Sequence, residues 1–222
     1  YHIQDAGQVV NVVPDYSRIW VRVRDITKEG LQPVYDQVRK MAEGAAIMAN
    51  VEHKVSLISG IHDLLPNRVG GAVMQKNLEY LGDIQYSQEE IDFAIEMQRN
   101  NGKPELGIDG KIRSLRETLE SPGGGSTDVG DVSYNVPVIS LAATTAPKGV
   151  PWHSWSVVAS SGMSIGHKGM LHAAKALGMT MIDIFKNNKL REDIKKEFDE
   201  RIGDYEYDPF LDPGPPPIDY VD

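Results

Sequence analysis

The chain contains no cysteine. That removes disulfide frameworks, thiolate metal sites and cysteine nucleophiles, so any metal would have to be held by His, Asp and Glu. No apolar run approaches the ~18 residues of a membrane span, and no signal-peptide pattern opens the chain. Positive charge is in the minority: 23 Lys and Arg stand against 32 Asp and Glu, a formal net charge of −9. Nucleic acid as main ligand usually needs a clustered basic face, so neither nucleic acid nor membrane is an expected partner. A small anionic substrate stays open, because one well-placed Arg can grip a carboxylate. What remains is ordinary globular composition, 41% hydrophobic and 25% charged over 222 residues, ample for one or two domains.

The charge is uneven. Lys189 to Asp222 holds 5 basic and 11 acidic residues. Its end, Asp208-Pro209-Phe210-Leu211-Asp212-Pro213-Gly214 and three further prolines, cannot be helical and reads as a stiff extended strap. A solvated tail and a partner-binding segment both fit it.

Along the chain, Ser17 to Arg24 alternates: Ile19, Val21 and Val23 on one face, Arg18, Trp20, Arg22 and Arg24 on the other. This predicts a half-buried strand with an arginine-rich face. Leu31, Val34, Val38, Met41, Ala45 and Met48 recur every three or four residues, an amphipathic helix closing near Asn50. Val51 to Ile61 is β-rich. Helices are expected over Val69 to Leu81 and Ser87 to Asn100, then a Gly-rich, mostly looped stretch to 131. Val136 to Ala142 reads as a short buried strand. From Ser164 the stripe Met170, Ala174, Leu177, Met181 and Ile184 or Phe185 predicts a long helix packed on a core, and Lys189 to Ile202 a charged one. The fold class is α/β, with a boundary between two units near residue 62.

Six histidines are candidate ligands, but no His-Glu-x-x-His occurs. His167 and His172, five apart, point to different helix faces and read as packing or surface residues. His62-Asp63 reads as a hinge or turn. His153, in Gly149-Val150-Pro151-Trp152-His153-Ser154-Trp155, follows a predicted buried strand, where α/β sheets gather their ligands, and suits a metal ligand or an acid–base group. The stretch from Pro122 to Asp131 is no phosphate-binding loop, since no Gly-Lys-Ser/Thr follows. It is either a flexible turn or a loop whose backbone N–H groups approach a ligand, with Thr127 and Asp128 supplying polar contacts. Glu89-Glu90 invites a catalytic reading, but Ser87-Gln88-Glu89-Glu90 is better read as a capping box. Arg24 lies 13 residues after Asn11.

Taken together, Asn11-Val12-Val13-Pro14-Asp15 with Arg24 resembles the lid, or dimerisation, domain of the zinc aminoacylase and carboxypeptidase-type amidohydrolases. Gly125-Ser126-Thr127-Asp128, Val136-Pro137-Val138-Ile139 and then His153 resemble the C-terminal half of that family's catalytic domain. Ser154-Trp155 and His167-Lys168-Gly169-Met170-Leu171-His172-Ala173-Ala174-Lys175 are similar to the branch that holds the aminobenzoyl-glutamate hydrolase B-subunit. The resemblance implies a remainder of the lid over 1–62 and the C-terminal half of an α/β metallohydrolase domain over 63–222, with an acidic Pro-rich tail from about 203. It implies that Asn11 and Arg24 face the active site, Arg24 binding the substrate carboxylate, and that His153 is the last metal ligand. The substrate would be a small amide bearing a carboxylate: aminobenzoyl-glutamate, a peptide or an acyl amino acid.

The chain also departs from the family pattern. The upstream His-x-Asp, Glu-Glu pair and further acidic ligand are missing, and Ser156, Val157 and Val158 stand where many relatives place an acidic residue. The general base is expected upstream, so no catalytic residue is assigned in this chain. The expectation is the C-terminal portion of a longer cytoplasmic enzyme with two divalent ions, zinc or manganese, left by truncation, proteolysis or a split gene. With about one ligand of five, the fragment is expected to lose metal and activity. It is also expected to pair, as homodimer or heterodimer, through the lid, whose edge is left exposed. The alternative is a non-catalytic dimerisation or binding module that reuses the fold.

Overall fold

The computed structural model describes residues 1–115, 125–211 and 213–215. They form a mixture of helices with one small sheet, in two units that each hold their own contacts. The first unit comprises Tyr1–Leu64, Pro122–Asp131 and Asp208–Asp222; the second comprises Leu65–Ser121 and Val132–Tyr207. Pro122, Gly123 and Gly124 of the Gly-rich stretch, and the tail beyond 215, lie outside the described residues.

In the first unit, strand β1 (His2–Asp5) pairs antiparallel with β2 (Arg18–Trp20), Ile3 opposite Ile19, with an irregularity before Asp5. The strand predicted over 17–24 is thus three residues long, and it buries neither face: Ile19, Trp20 and Val21 are all exposed. Alternation specifies a strand only where a second layer covers one side, and none does here. The β-rich run Val51 to Ile61 forms no strand among the described residues. Helix α1 (Lys28–Ala49) matches its expected span. Thr27 caps it by accepting from Gly30 N–H, and Asn50 ends it in the left-handed conformation at φ 53°. Of its apolar stripe, Val34, Met41 and Met48 are exposed, and Ala46 is the buried residue.

The second unit is helical. Helix α2 (Arg68–Leu81) is capped twice: Asn67 Oδ1 accepts from Gly70 N–H, and the Glu197 carboxylate accepts from Arg68 and Val69 N–H at 2.8 and 2.7 Å. That places a negative charge on the positive end of the helix dipole. Helix α3 (Gln88–Asn100) opens with the expected capping box, Ser87 N–H to Glu90 at 2.6 Å and Glu90 N–H to Ser87 at 3.3 Å. The short α4 (Val129–Ser133) bridges the sequence boundary of the two units, followed by α5 (Trp155–Ser161), α6 (Ser164–Lys186) and α7 (Asn188–Ile202).

Two expectations for this unit fail. Val136 to Ala142 is no buried strand: Val138 makes a single parallel bridge to Pro66, and Val136 is exposed. Proline lacks the N–H a ladder would need, so pairing stops there. Nor does α6 bury the predicted stripe. It packs on α2, α5 and α7 through Ile165, Gly166, Gly169, Ala176 and Thr180 instead. Small residues let neighbouring backbone approach: a Cβ on Gly169 would sit 2.2 Å from the Thr144 carbonyl oxygen. Polar groups tie the layer together, with Asn77 Nδ2 donating to Thr180 and Asp183, and buried Gln98 bonded to Gly107 and Lys148.

Candidate functional site

The residues marked in the sequence fall in both units. Asn11 lies in an exposed turn between β1 and β2, and Arg24 is exposed in the segment leading to α1. Thr127 and Asp128 are exposed just before α4, where Thr127 Oγ1 accepts from Val129 N–H at 3.3 Å. All four belong to the first unit, whereas His153 belongs to the second. His153 is exposed, in the turn that opens α5, and its backbone has φ 60°. Left-handed backbone is uncommon outside glycine, though His tolerates it better than bulky or β-branched residues. Beside it, Ser154 Oγ donates to the Pro151 carbonyl at 2.6 Å, which ties the turn.

His167 and His172 do diverge. His167 is exposed in the first turn of α6; His172 is partly buried, and its Nε2 has no hydrogen-bond partner among the described residues. Burial first, then the Lys175 charge, pull the His172 imidazole below its usual pKa, against Asp83, which pulls up.

Two clusters emerge that the sequence reading did not assemble. In the first unit His62 is 3% exposed, and Asp131 Oδ1 lies 2.6 Å from its Nδ1 while also accepting its backbone N–H at 3.2 Å. The Phe210 ring packs 5.3 Å from the imidazole, and Lys28 Nζ, bonded to the Asp208 carbonyl at 2.8 Å, lies 5.3 Å above the Phe210 ring. Glycines make room: a Cβ on Gly130 would come within 2.1 Å of the His62 carbonyl oxygen, and one on Gly60 within 2.5 Å of Phe210 Cβ. His62 is therefore a buried, carboxylate-bonded residue rather than a simple turn. In the described part of the tail Phe210 packs on His62, while the Asp208 side chain stays exposed. No local signal pointed to this, because the partners are far apart in sequence.

In the second unit Glu90 is 5% exposed and receives Lys168 Nζ at 2.6 Å. Burial pushes its carboxyl up, but hydrogen bonds from Lys168, Ser164 and the Ser87 backbone, with the Lys168 charge, bring it down to about 2. Lys168 also donates to the Gln85 carbonyl and lies over the Tyr86 ring. The Tyr86 hydroxyl is pushed up to about 12 by burial and by the Glu90 and Asp109 charges. This network staples α6 to the start of α3; the structural reading of Glu90 holds, with a lysine added to it.

Among the described residues no three His, Asp or Glu side chains converge where they could hold a metal ion. His153 alone does not complete such a site, since a catalytic zinc takes about three protein ligands.

Two curated proteins that match this chain are both named as hydrolases of amide or peptide bonds. One is the B subunit of p-aminobenzoyl-glutamate hydrolase from Escherichia coli (strain K12), 31% identical over 89% of this chain and 46% of its own length. The other is the Xaa-Arg dipeptidase of Homo sapiens, 24% identical over 92% of this chain and 41% of its own length. The chain thus resembles the amidohydrolases in the branch of the aminobenzoyl-glutamate hydrolase B-subunit, as its motifs indicate, and it spans less than half the length of these relatives. No protein-family model matches it, and no solved structure does.

Proposed function

We propose that this chain forms the C-terminal part of a metal-dependent amidohydrolase that cleaves an amide bond to a glutamate-like or other amino-acid carboxylate. The observation that carries this reading is its match, over most of the chain, to the B subunit of the bacterial hydrolase. The reading assigns substrate contacts to Asn11, Arg24, Thr127 and Asp128 and a metal contact to His153. In this reading Arg24 grips the carboxylate in bidentate fashion, Asn11, Thr127 and Asp128 supply polar contacts, and His153 gives one metal ligand. The left-handed backbone at His153 supports this role, because strained conformations cluster where a side chain must be aimed. The other metal ligands and the general base would come from polypeptide outside this sequence, so no step of hydrolysis is routed through these residues alone.

The test is the enzyme reconstituted with the polypeptide that supplies those ligands. Arg24→Ala should raise KM for carboxylate-bearing amides at least tenfold, on the scale of a lost charge-assisted hydrogen bond. It should leave KM for a substrate without the carboxylate unchanged. An equal loss on both substrates would remove Arg24 from the site. Assembly without metal uptake or turnover would favour a non-catalytic dimerisation module.

A further inference from the structure

The turn that carries His153 is held from outside. Helix α5 is seven residues long, and its N-cap Ser154 makes no side-chain cap bond, because Ser154 Oγ donates to the Pro151 carbonyl instead. A helix that short does not form or orient by itself. Its anchors come from the end of α3. Gln98 is wholly buried; its Nε2 donates to the Gly107 and Lys148 carbonyls at 2.9 and 2.8 Å, and its Oε1 accepts from Gly107 N–H at 2.8 Å. Both amide protons are used, and a flipped amide would set its oxygen against two carbonyls, so the side chain has one orientation. Asn101 Nδ2 then donates to Ser156 Oγ at 2.7 Å, and Ser156 is wholly buried as well.

Lys148 and Ser156 bracket His153, five residues before it and three after. Val150 is buried between them, whereas Pro151, Trp152 and His153 are exposed. The bracketed segment contains two left-handed residues, Gly149 at φ 75° and His153 at φ 60°. Such backbone is costly at a residue other than glycine and persists only where its surroundings over-determine it. We propose that Gln98 and Asn101 are positioning residues: from the end of α3 they clamp the 148–156 segment on both sides of the turn and so fix where the His153 imidazole is presented. A part for this clamp in hydrolysis rests on the reading of His153 as a metal ligand; the clamp itself does not.

The test has two arms. In the full chain, Gln98→Met keeps a long unbranched side chain and deletes its bonds, and Asn101→Ala deletes the bond to Ser156. Both should keep the far-UV circular dichroism of the parent. Both should speed amide hydrogen exchange at Lys148, Val157 and Val158, which donate to Gly107 and Ser154, by about tenfold or more, while the α2 and α7 amides stay unchanged. Ser156→Ala should reproduce Asn101→Ala, and the double variant should be no looser than either single one. If Gln98→Met does not fold, Asn101→Ala, at a partly exposed position, carries the same readings. Unchanged exchange, or a loosening that spreads equally to α2 and α7, would overturn the proposal. In the reconstituted enzyme the same variants should lower kcat on the order of tenfold or more and leave KM within about twofold, since the substrate contacts are untouched. His153→Ala tells the two failures apart. If it is inactive while the clamp variants match the parent, the clamp is overturned and the metal reading stands. If it keeps full activity, the metal reading falls and exchange over 148–158 alone decides the clamp.

Discussion

Glu90 and Lys168 form a short ion pair in the second unit, at 2.6 Å, and its consequence is a pH dependence. The Glu90 carboxyl sits at about 2 in the folded chain against the usual 4.5, so it binds its proton more readily once unfolded. Its contribution is fully present above about pH 4.5 and is lost as pH falls through about 2. Lys168→Met should cost about 1–3 kcal/mol in urea unfolding at pH 7, toward the lower end because the lysine is partly exposed. The gap between variant and parent should close as the pH is lowered across that window. A gap that stays constant would mean that Lys168 acts through packing alone. On the proposed metal reading, His153→Ala in the reconstituted enzyme should remove one ion per protomer and about 100-fold or more of the activity, above the 10–100-fold of outer-shell losses. His167→Ala, on an exposed first turn, should remove far less; the reverse order in metal content would make His167 the ligand instead.

Elements divide by whether their determinants are local. Ser87 and Glu90 and the three- and four-residue spacings lie within one or two turns of the helices they define, so α2, α3, α6 and α7, and the end of α1, were legible to within a residue or two. The strands were not, since a strand exists only with a neighbour, and Val51 to Ile61 and Val136 to Ala142 find no ladder among the described residues. Which side of α6 faces inward was equally hidden, because both sides are apolar and only the packing of Gly169 and Thr180 decides it. The candidate site shows the same divide: His153 is proposed from its flanking residues, while the His62–Asp131 pair joins side chains remote in sequence. The tail contact yields a prediction at this scale. Phe210→Ala removes the ring that packs on His62 and should destabilise the first unit by about 1–3 kcal/mol, below the roughly 3–5 kcal/mol of a fully buried ring because Phe210 is only half-buried. Modification of His62 by diethylpyrocarbonate, read by mass spectrometry, should accelerate well beyond that of exposed His153. Unchanged protection of His62 would show that the tail is not its cover.

At the scale of the whole molecule, two opposed forces act on association. The net charge of −9 repels copies of the chain from one another. The exposed apolar residues of the first unit, among them Ile3, Ile19 and Trp20 on a two-stranded sheet, draw them together. A two-stranded sheet is marginal by itself and leaves outer edges able to accept a further strand. Charge repulsion is screened over about 8–10 Å at moderate salt, whereas burial of apolar surface is not weakened by it. The isolated chain should therefore self-associate through the β1–β2 edge, and more so as NaCl is raised from tens of millimolar to about half molar. Light scattering at several protein concentrations should show the average mass climbing with both concentration and salt. Ile19→Lys, which places a charge on the edge strand without touching a buried residue, should return the mass toward that of a monomer while the helical circular dichroism stays unchanged. A chain that remains monomeric at high concentration throughout the salt series would count against this edge as an interface. A mass that falls as salt is added would instead mean that ion pairs, not apolar surface, hold the copies together.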